Sequence, residues 1–214
     1  NSIKNIDRHR CVFTGCSDLE MLFALKDFPV YMGCVDSLRE DDMKADLSFW
    51  ISRGSGSVQL NPIMDPSIVY KFSHGSGTVG KSWIEHHVQF SDFISKHEPR
   101  NILEIGGGHG VLADLYIKNN PISSWITVEP NPVVRNDKVT YVNTLFDEDF
   151  SIDAPIDAIV HSHTFEHFYD IIRITNKFWE LLPENGRMIF SVPSLQLHLE
   201  RLYTNVMNFE HTVY

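Results

Sequence analysis

The stretch from Asn101 to Gly110, NILEIGGGHG, constrains this chain more than any other. Asn101 to Ile105 has the length and apolar content of a buried parallel strand, and Val111 to Lys118 continues at helical spacing. Gly106, Gly107, Gly108 and Gly110 therefore occupy a strand-to-helix turn. Glycine loses more backbone freedom on folding than any other residue, so four of them in five positions are a costly way to make a bend. The cost is explained if backbone N–H groups must approach a ligand closely, with the N-terminal end of the next helix directed at it. Spacing narrows the ligand class. A dinucleotide fingerprint counted from Gly106 requires Gly or Ala where Val111 stands, and a β-branched side chain there spoils close helix–strand packing.

Glu104, Gly106, Gly108 and Gly110 fill the pattern acid-x-Gly-x-Gly-x-Gly, and here the chain resembles motif I of the class I S-adenosylmethionine-dependent methyltransferases. The resemblance implies S-adenosylmethionine as cofactor, held over these residues. Trp125 to Val128 reads as a second strand ending in Glu129, about twenty residues beyond the glycines, where an acidic side chain accepts both ribose hydroxyls. Lys138 to Val142 is a third strand. The family lays adenine against an apolar side chain in the following loop, a place filled by Phe146, with ordinary core packing as the alternative. Ile156 to His161 is the fourth strand, and the resemblance sets its tip, with Ser162 and His163, against the methionine end of the cofactor. Phe168 to Leu182 is the next helix, and Arg187 to Val192 the fifth strand. This order predicts an α/β fold, a doubly wound Rossmann-like methyltransferase sheet with its chemistry beyond the carboxyl ends of the strands.

Residues 1–61 read as a small irregular strand-bearing module. It resembles the N-terminal zinc-binding module of the sugar C-methyltransferases, where a cysteine pair near the start is completed by Cys-x-x-Cys ahead of Gly-x-Val-Gln-Leu. Cys11 and Cys16 supply the first pair, but Ser52 and Ser55 stand at the second, and a hydroxyl is a poor zinc ligand beside a thiolate. A degenerate module without metal is expected. Near the chain end, Asn208-Phe209-Glu210-His211 resembles the family's Tyr-x-Glu-His segment with Asn208 in place of tyrosine. The resemblance implies His211 as catalytic base, oriented by Glu210, with His167 near the acceptor. The histidines of His161 to His167 raise a metal reading, but they lack the HExxH spacing and Glu166 is their one carboxylate.

Residues 62–97 form a linker and an amphipathic helix, Trp83 to Lys96, whose His86 and His87 read as surface or packing residues; residues 98–214 are the cofactor-binding core. Within the linker, Gly75 to Ser82 matches the Walker A pattern in every position. A P-loop also needs an apolar strand entering it and a later strand ending in Asp, and neither is evident, so nucleotide binding stays the alternative. A third reading is a non-catalytic cofactor-binding module.

The chain has 214 residues, 43% hydrophobic and 21% charged, with a formal net charge of −10. That balance repels a phosphate backbone and speaks against a nucleic-acid partner. No apolar run reaches a membrane span and no secretory leader is evident, so a cytoplasmic enzyme is expected. The resemblance to the sugar C-methyltransferases implies a small polar acceptor as partner, a nucleotide-linked sugar or a surface-polysaccharide precursor, methylated on carbon or oxygen. Only five strands are found from residue 101, so the sheet is expected to be truncated at its C-terminal side.

Overall fold

A computed structural model describes residues 5–31, 42–70, 80–204 and 207–214. Strands β1 (Asn5–Ile6), β2 (Leu19–Pro29), β3 (Lys44–Ser52), β4 (Val58–Leu60) and β5 (Ile63–Met64) come first, then helices α1 (Pro66–Val69) and α2 (Lys81–Ser95). The order continues β6 (Asn101–Ile105), α3 (Val111–Asn119), β7 (Ser124–Val128), β8 (Val139–Val142) and β9 (Ala158–Ser162). A 3-10 turn (Phe165–His167), α4 (Ile171–Leu181), β10 (Arg187–Ser191) and α5 (Leu195–Glu200) complete it. None of the described helices is long and apolar enough to cross a membrane.

The chain forms two compact units. The first comprises Asn1–His74, Glu166–Ile171 and Pro193–Tyr214, and the second Gly75–Phe165 and Ile172–Val192. Pro193–Tyr214 thus lies with Asn1–His74 in the first unit.

The second unit is built on a five-stranded sheet of order β10-β9-β6-β7-β8, every pair parallel, as a doubly wound fold requires. Its central strands are buried on both faces, which is why Ala158 to Val160 is an unbroken apolar run and Ile102, Leu103 and Ile105 show no alternation around the buried Glu104. Helix α2 contributes Phe90 and Ile94, and α3 Leu112, Tyr116 and Ile117, to a core closed by Trp125 and Ile189. The Tyr116 ring lies 5.0 Å from Trp125, and its hydroxyl donates to the Pro99 carbonyl at 3.0 Å.

In the first unit β2, β3 and β4 form an antiparallel sheet, and β1 pairs with β5. Alternation along β3 sets Leu47 and Phe49 in the core, whereas register shifts in β2 between Met21 and Phe23 and between Leu25 and Phe28 break its period of two. The end of the chain lies along β4: Val58 and Tyr214 exchange backbone hydrogen bonds, and Leu60 N–H donates to the Thr212 carbonyl at 3.0 Å. Phe209 and Tyr214 thereby join Leu60, Ile63 and Val69 in one core.

The thiol–hydroxyl cluster of the module is built as follows. Cys11 Sγ lies 3.4 Å from Ser55 Oγ and 3.5 Å from Ser57 Oγ, and Ser52 Oγ donates to the Asp18 carboxylate at 2.9 Å. Burial opposes ionisation of Cys11, yet hydrogen bonds from Ser55, Ser57, Thr14 and the Phe13 backbone outweigh it and bring the thiol down to about 6. Cys34, the third cysteine of the chain and a conceivable stand-in for a missing thiolate, lies outside the described residues.

Candidate active site

In the second unit the glycine turn joins the carboxyl end of β6 to the start of α3. Gly106, Gly108 and Gly110 have φ of 72°, 49° and 65°, a region that side chains other than glycine's rarely enter, and Gly110 caps α3. A Cβ on Gly106 would come within 2.6 Å of Thr164 Oγ1, and one on Gly110 within 2.9 Å of the Val133 carbonyl. Gly107, which the motif leaves unspecified, is the tightest of all: a Cβ there would meet Thr127 Cγ2 at 2.3 Å and Glu104 Oε2 at 2.6 Å.

Glu104 is placed beneath this turn, inside the unit. Its Oε2 accepts from Trp125 Nε1 at 2.9 Å and from Thr127 Oγ1 at 2.8 Å, and it is 3% exposed. Burial raises its carboxyl to about 7 against the pull of those two hydrogen bonds, with the charge of Glu129 adding to the rise. Glu129, at the tip of β7, reaches back to the turn: Oε2 accepts from Gly108 N–H and Oε1 from Asn131 N–H, each at 3.1 Å. Phe146 is buried, its ring 5.0 Å from Phe150 and 5.2 Å from Phe178, which is the packing alternative weighed from the sequence.

Ser162 and His163 stand at the end of β9, as expected, and they meet residues the sequence reading set aside. Ser162 Oγ lies 2.8 Å from His86 Nε2 and 3.0 Å from Ser191 Oγ, and the His163 ring is edge-on to Trp83 at 5.0 Å and His86 at 5.2 Å. Burial, then the like charges of His163 and His87, push His86 down to about 4, so it is neutral at pH 7. No local spacing signals this cluster, because Trp83 and His86 lie on α2 and the others at the ends of β9 and β10. Of the Walker A segment, residues 75–79 lie outside the described residues, while Gly80 caps α2 and Lys81 and Ser82 begin it.

In the first unit the 3-10 turn and the end of the chain bring His167 and His211 together, their rings 5.0 Å apart. The Glu166 carboxylate lies 4.0 Å from His211 Nε2; Glu210, which the sequence reading paired with His211, directly precedes it in the chain. Asn208 Oδ1 accepts from both Glu210 N–H (2.9 Å) and His211 N–H (2.7 Å), a tight local turn that sets the direction of each side chain. Thr212 N–H then donates to the Glu166 carbonyl at 2.7 Å, and Thr212 Oγ1 to the Phe168 carbonyl at 2.6 Å, which holds the two segments in register. Tyr70 OH is 3.1 Å from His167 Nδ1, and burial raises its phenol far above the usual value.

A family model described as a methyltransferase domain matches residues 82–212. The chain belongs to the methyltransferase domain family. The five-stranded sheet with its glycine turn is accordingly an S-adenosylmethionine-dependent methyltransferase domain. Among solved structures this methyltransferase domain is similar to the plantazolicin methyltransferase BpumL in complex with SAH, at 21% identity and a TM-score of 0.39 over 47% of this chain and 42% of that one. It is also similar to the mitomycin 7-O-methyltransferase MmcR, at 15% identity and a TM-score of 0.45 over 62% of this chain and 44% of that one. The chain thus spans less than half the length of either structure. No curated protein matches it.

Proposed function

We propose that the protein transfers a methyl group from S-adenosylmethionine to oxygen or to an activated carbon of a small polar acceptor, a nucleotide-linked sugar or a surface-polysaccharide precursor, in the cytoplasm. The observation that carries the reading is the Gly106–Gly110 turn with the Glu129 carboxylate drawn onto it through Gly108 N–H. Glu129 is proposed to exchange that contact for the ribose hydroxyls, Gly106, Gly108 and Gly110 to admit the cofactor to their backbone, and Ser162 and His163 to flank its methionine end.

Methyl transfer is an in-line displacement at a sulfonium carbon, so the protein has to align the acceptor atom and take its proton. His211 is the proposed base and His167 its support; Glu166 takes the orienting role first given to Glu210, because it faces His211 Nε2. A carbon acceptor would need an adjacent carbonyl to stabilise the enolate.

The test is calorimetry with S-adenosylmethionine on the wild type and on Glu129→Ala, followed by an acceptor panel with labelled methyl. Loss of the ribose contacts removes charge-assisted hydrogen bonds of about 1.5–3 kcal/mol each, so affinity should fall at least about tenfold. Unchanged affinity would sink the ribose assignment, and tight cofactor binding with no acceptor turned over would favour a non-catalytic module.

A further inference from the structure

The cluster in the first unit has a second capacity, which its residue types and placement define. Glu166 and His167 are consecutive on the 3-10 turn and His211 arrives from the end of the chain. Each offers one donor, a carboxylate oxygen or an imidazole nitrogen, and the three donor atoms lie within 4.8 Å of one another. The Glu166 and His211 side chains are 5% and 16% exposed. We infer that Glu166, His167 and His211 form a binding site for a divalent first-row transition ion.

The donor set selects the ion. Two imidazoles with one carboxylate suit zinc and its neighbours in the first row, whereas magnesium and calcium take oxygen ligands. An ion between a buried carboxylate and two neutral imidazoles also supplies the positive charge that makes burial of a carboxylate tolerable.

The surroundings are those of a positioned site. Tyr70 OH lies 3.1 Å from Nδ1 of His167, the kind of contact that holds a ligating imidazole in place through its second nitrogen. The Asn208 turn fixes His211, and the two Thr212 bonds tie its segment to the turn that carries Glu166 and His167. A tetrahedral ion draws its donors to about 3.3 Å from one another, so binding contracts this cluster by side-chain rotation. Three protein ligands leave a coordination position open, and an oxygen bound there is acidified.

The inference draws no support from the methyl-transfer reading. A loaded site would, however, take the nitrogen lone pairs of His211 and His167 that the reading uses for the acceptor proton.

The test titrates chelator-treated full-length protein with Co²⁺, followed by visible absorption, and with Zn²⁺ by calorimetry. One ion per chain is expected, with nitrogen and oxygen ligation. Glu166→Gln, His167→Gln and His211→Gln should each weaken Zn²⁺ by at least about 100-fold, and Tyr70→Phe, which keeps every ligand, by about tenfold. Circular dichroism confirms that each variant is folded; where one is not, the wild-type titration and Tyr70→Phe decide. Three outcomes overturn the site: wild-type Zn²⁺ binding weaker than about 0.1 mM, undiminished binding in the folded variants, or the intense near-ultraviolet band of thiolate–Co²⁺ bonding, which would put the ion on Cys11 and Cys16. S-adenosylmethionine affinity, measured on the same samples, shows whether the metal site fails alone or the cofactor reading fails with it.

Discussion

Arg8 and Thr212 lie 204 positions apart and share a buried hydrogen bond, Arg8 Nη1 donating to the Thr212 carbonyl at 2.9 Å. The other arm of the guanidinium donates to the Tyr169 carbonyl at 2.7 Å, so one side chain ties the chain end to the segment just after the 3-10 turn. Arg8 is 7% exposed, and burial lowers its guanidinium to about 10. It therefore remains charged at neutral pH.

Arg8→Met should destabilise the first unit by about 3–6 kcal/mol, since two charge-assisted bonds of roughly 1.5–3 kcal/mol each are lost and two carbonyls are left inside. Urea unfolding followed by fluorescence measures this. A loss under about 1 kcal/mol would show that the carbonyls find other partners.

Gly107 admits a steric test that the positive-φ glycines do not, because only its missing Cβ matters. Gly107→Ala drives a methyl against Thr127 Cγ2 and the Glu104 carboxylate, an overpacking that costs about 1–3 kcal/mol. Thr127→Ser removes the offending methyl and keeps the hydroxyl bonded to Glu104, so the double variant should recover part of the loss in thermal unfolding. No recovery would place the strain elsewhere.

Glu104 makes stability depend on pH. Its carboxyl is raised from 4.5 to about 7 on folding, so the folded state binds the proton more tightly, and that stabilisation is complete below 4.5 and lost as pH rises through 7. Glu104→Gln, which can still accept from Trp125 and Thr127, should remove that contribution, so the urea midpoint of the variant relative to the wild type should rise between pH 4.5 and pH 7. A difference between the two midpoints that stays constant across that window would contradict the assignment.

His86 acts on the acid side. Its imidazole falls from 6.5 to about 4 on folding, so the stability linked to its neutral form is whole above 6.5 and lost as pH drops through 4. Proton NMR should find one histidine titrating near 4 and missing in His86→Gln. Titration of every histidine above 6 would refute this.

Sequence and tertiary structure divide the account of this protein along a physical line. The parallel sheet, its strand order of appearance and the glycine turn were legible in the chain because they rest on local signals: unbroken apolar runs, helical periodicity and glycines packed into one turn. The place of Glu129 just after β7 was legible as well, because the apolar run Trp125 to Val128 marks where that strand ends. Other features depend on residues that no local spacing relates. Glu104 turned inward because Trp125 and Thr127 on the neighbouring strand offer it donors, and Phe146 became core because Phe150 and Phe178 pack against it. The approach of Glu166 to His211 is of the same kind: Asn208 and Thr212 set a backbone path that only long-range hydrogen bonds define. The chain by itself determined what kind of domain this is. Folding decided which carboxylates meet which imidazoles, because those pairings are made between segments that are neighbours only in three dimensions.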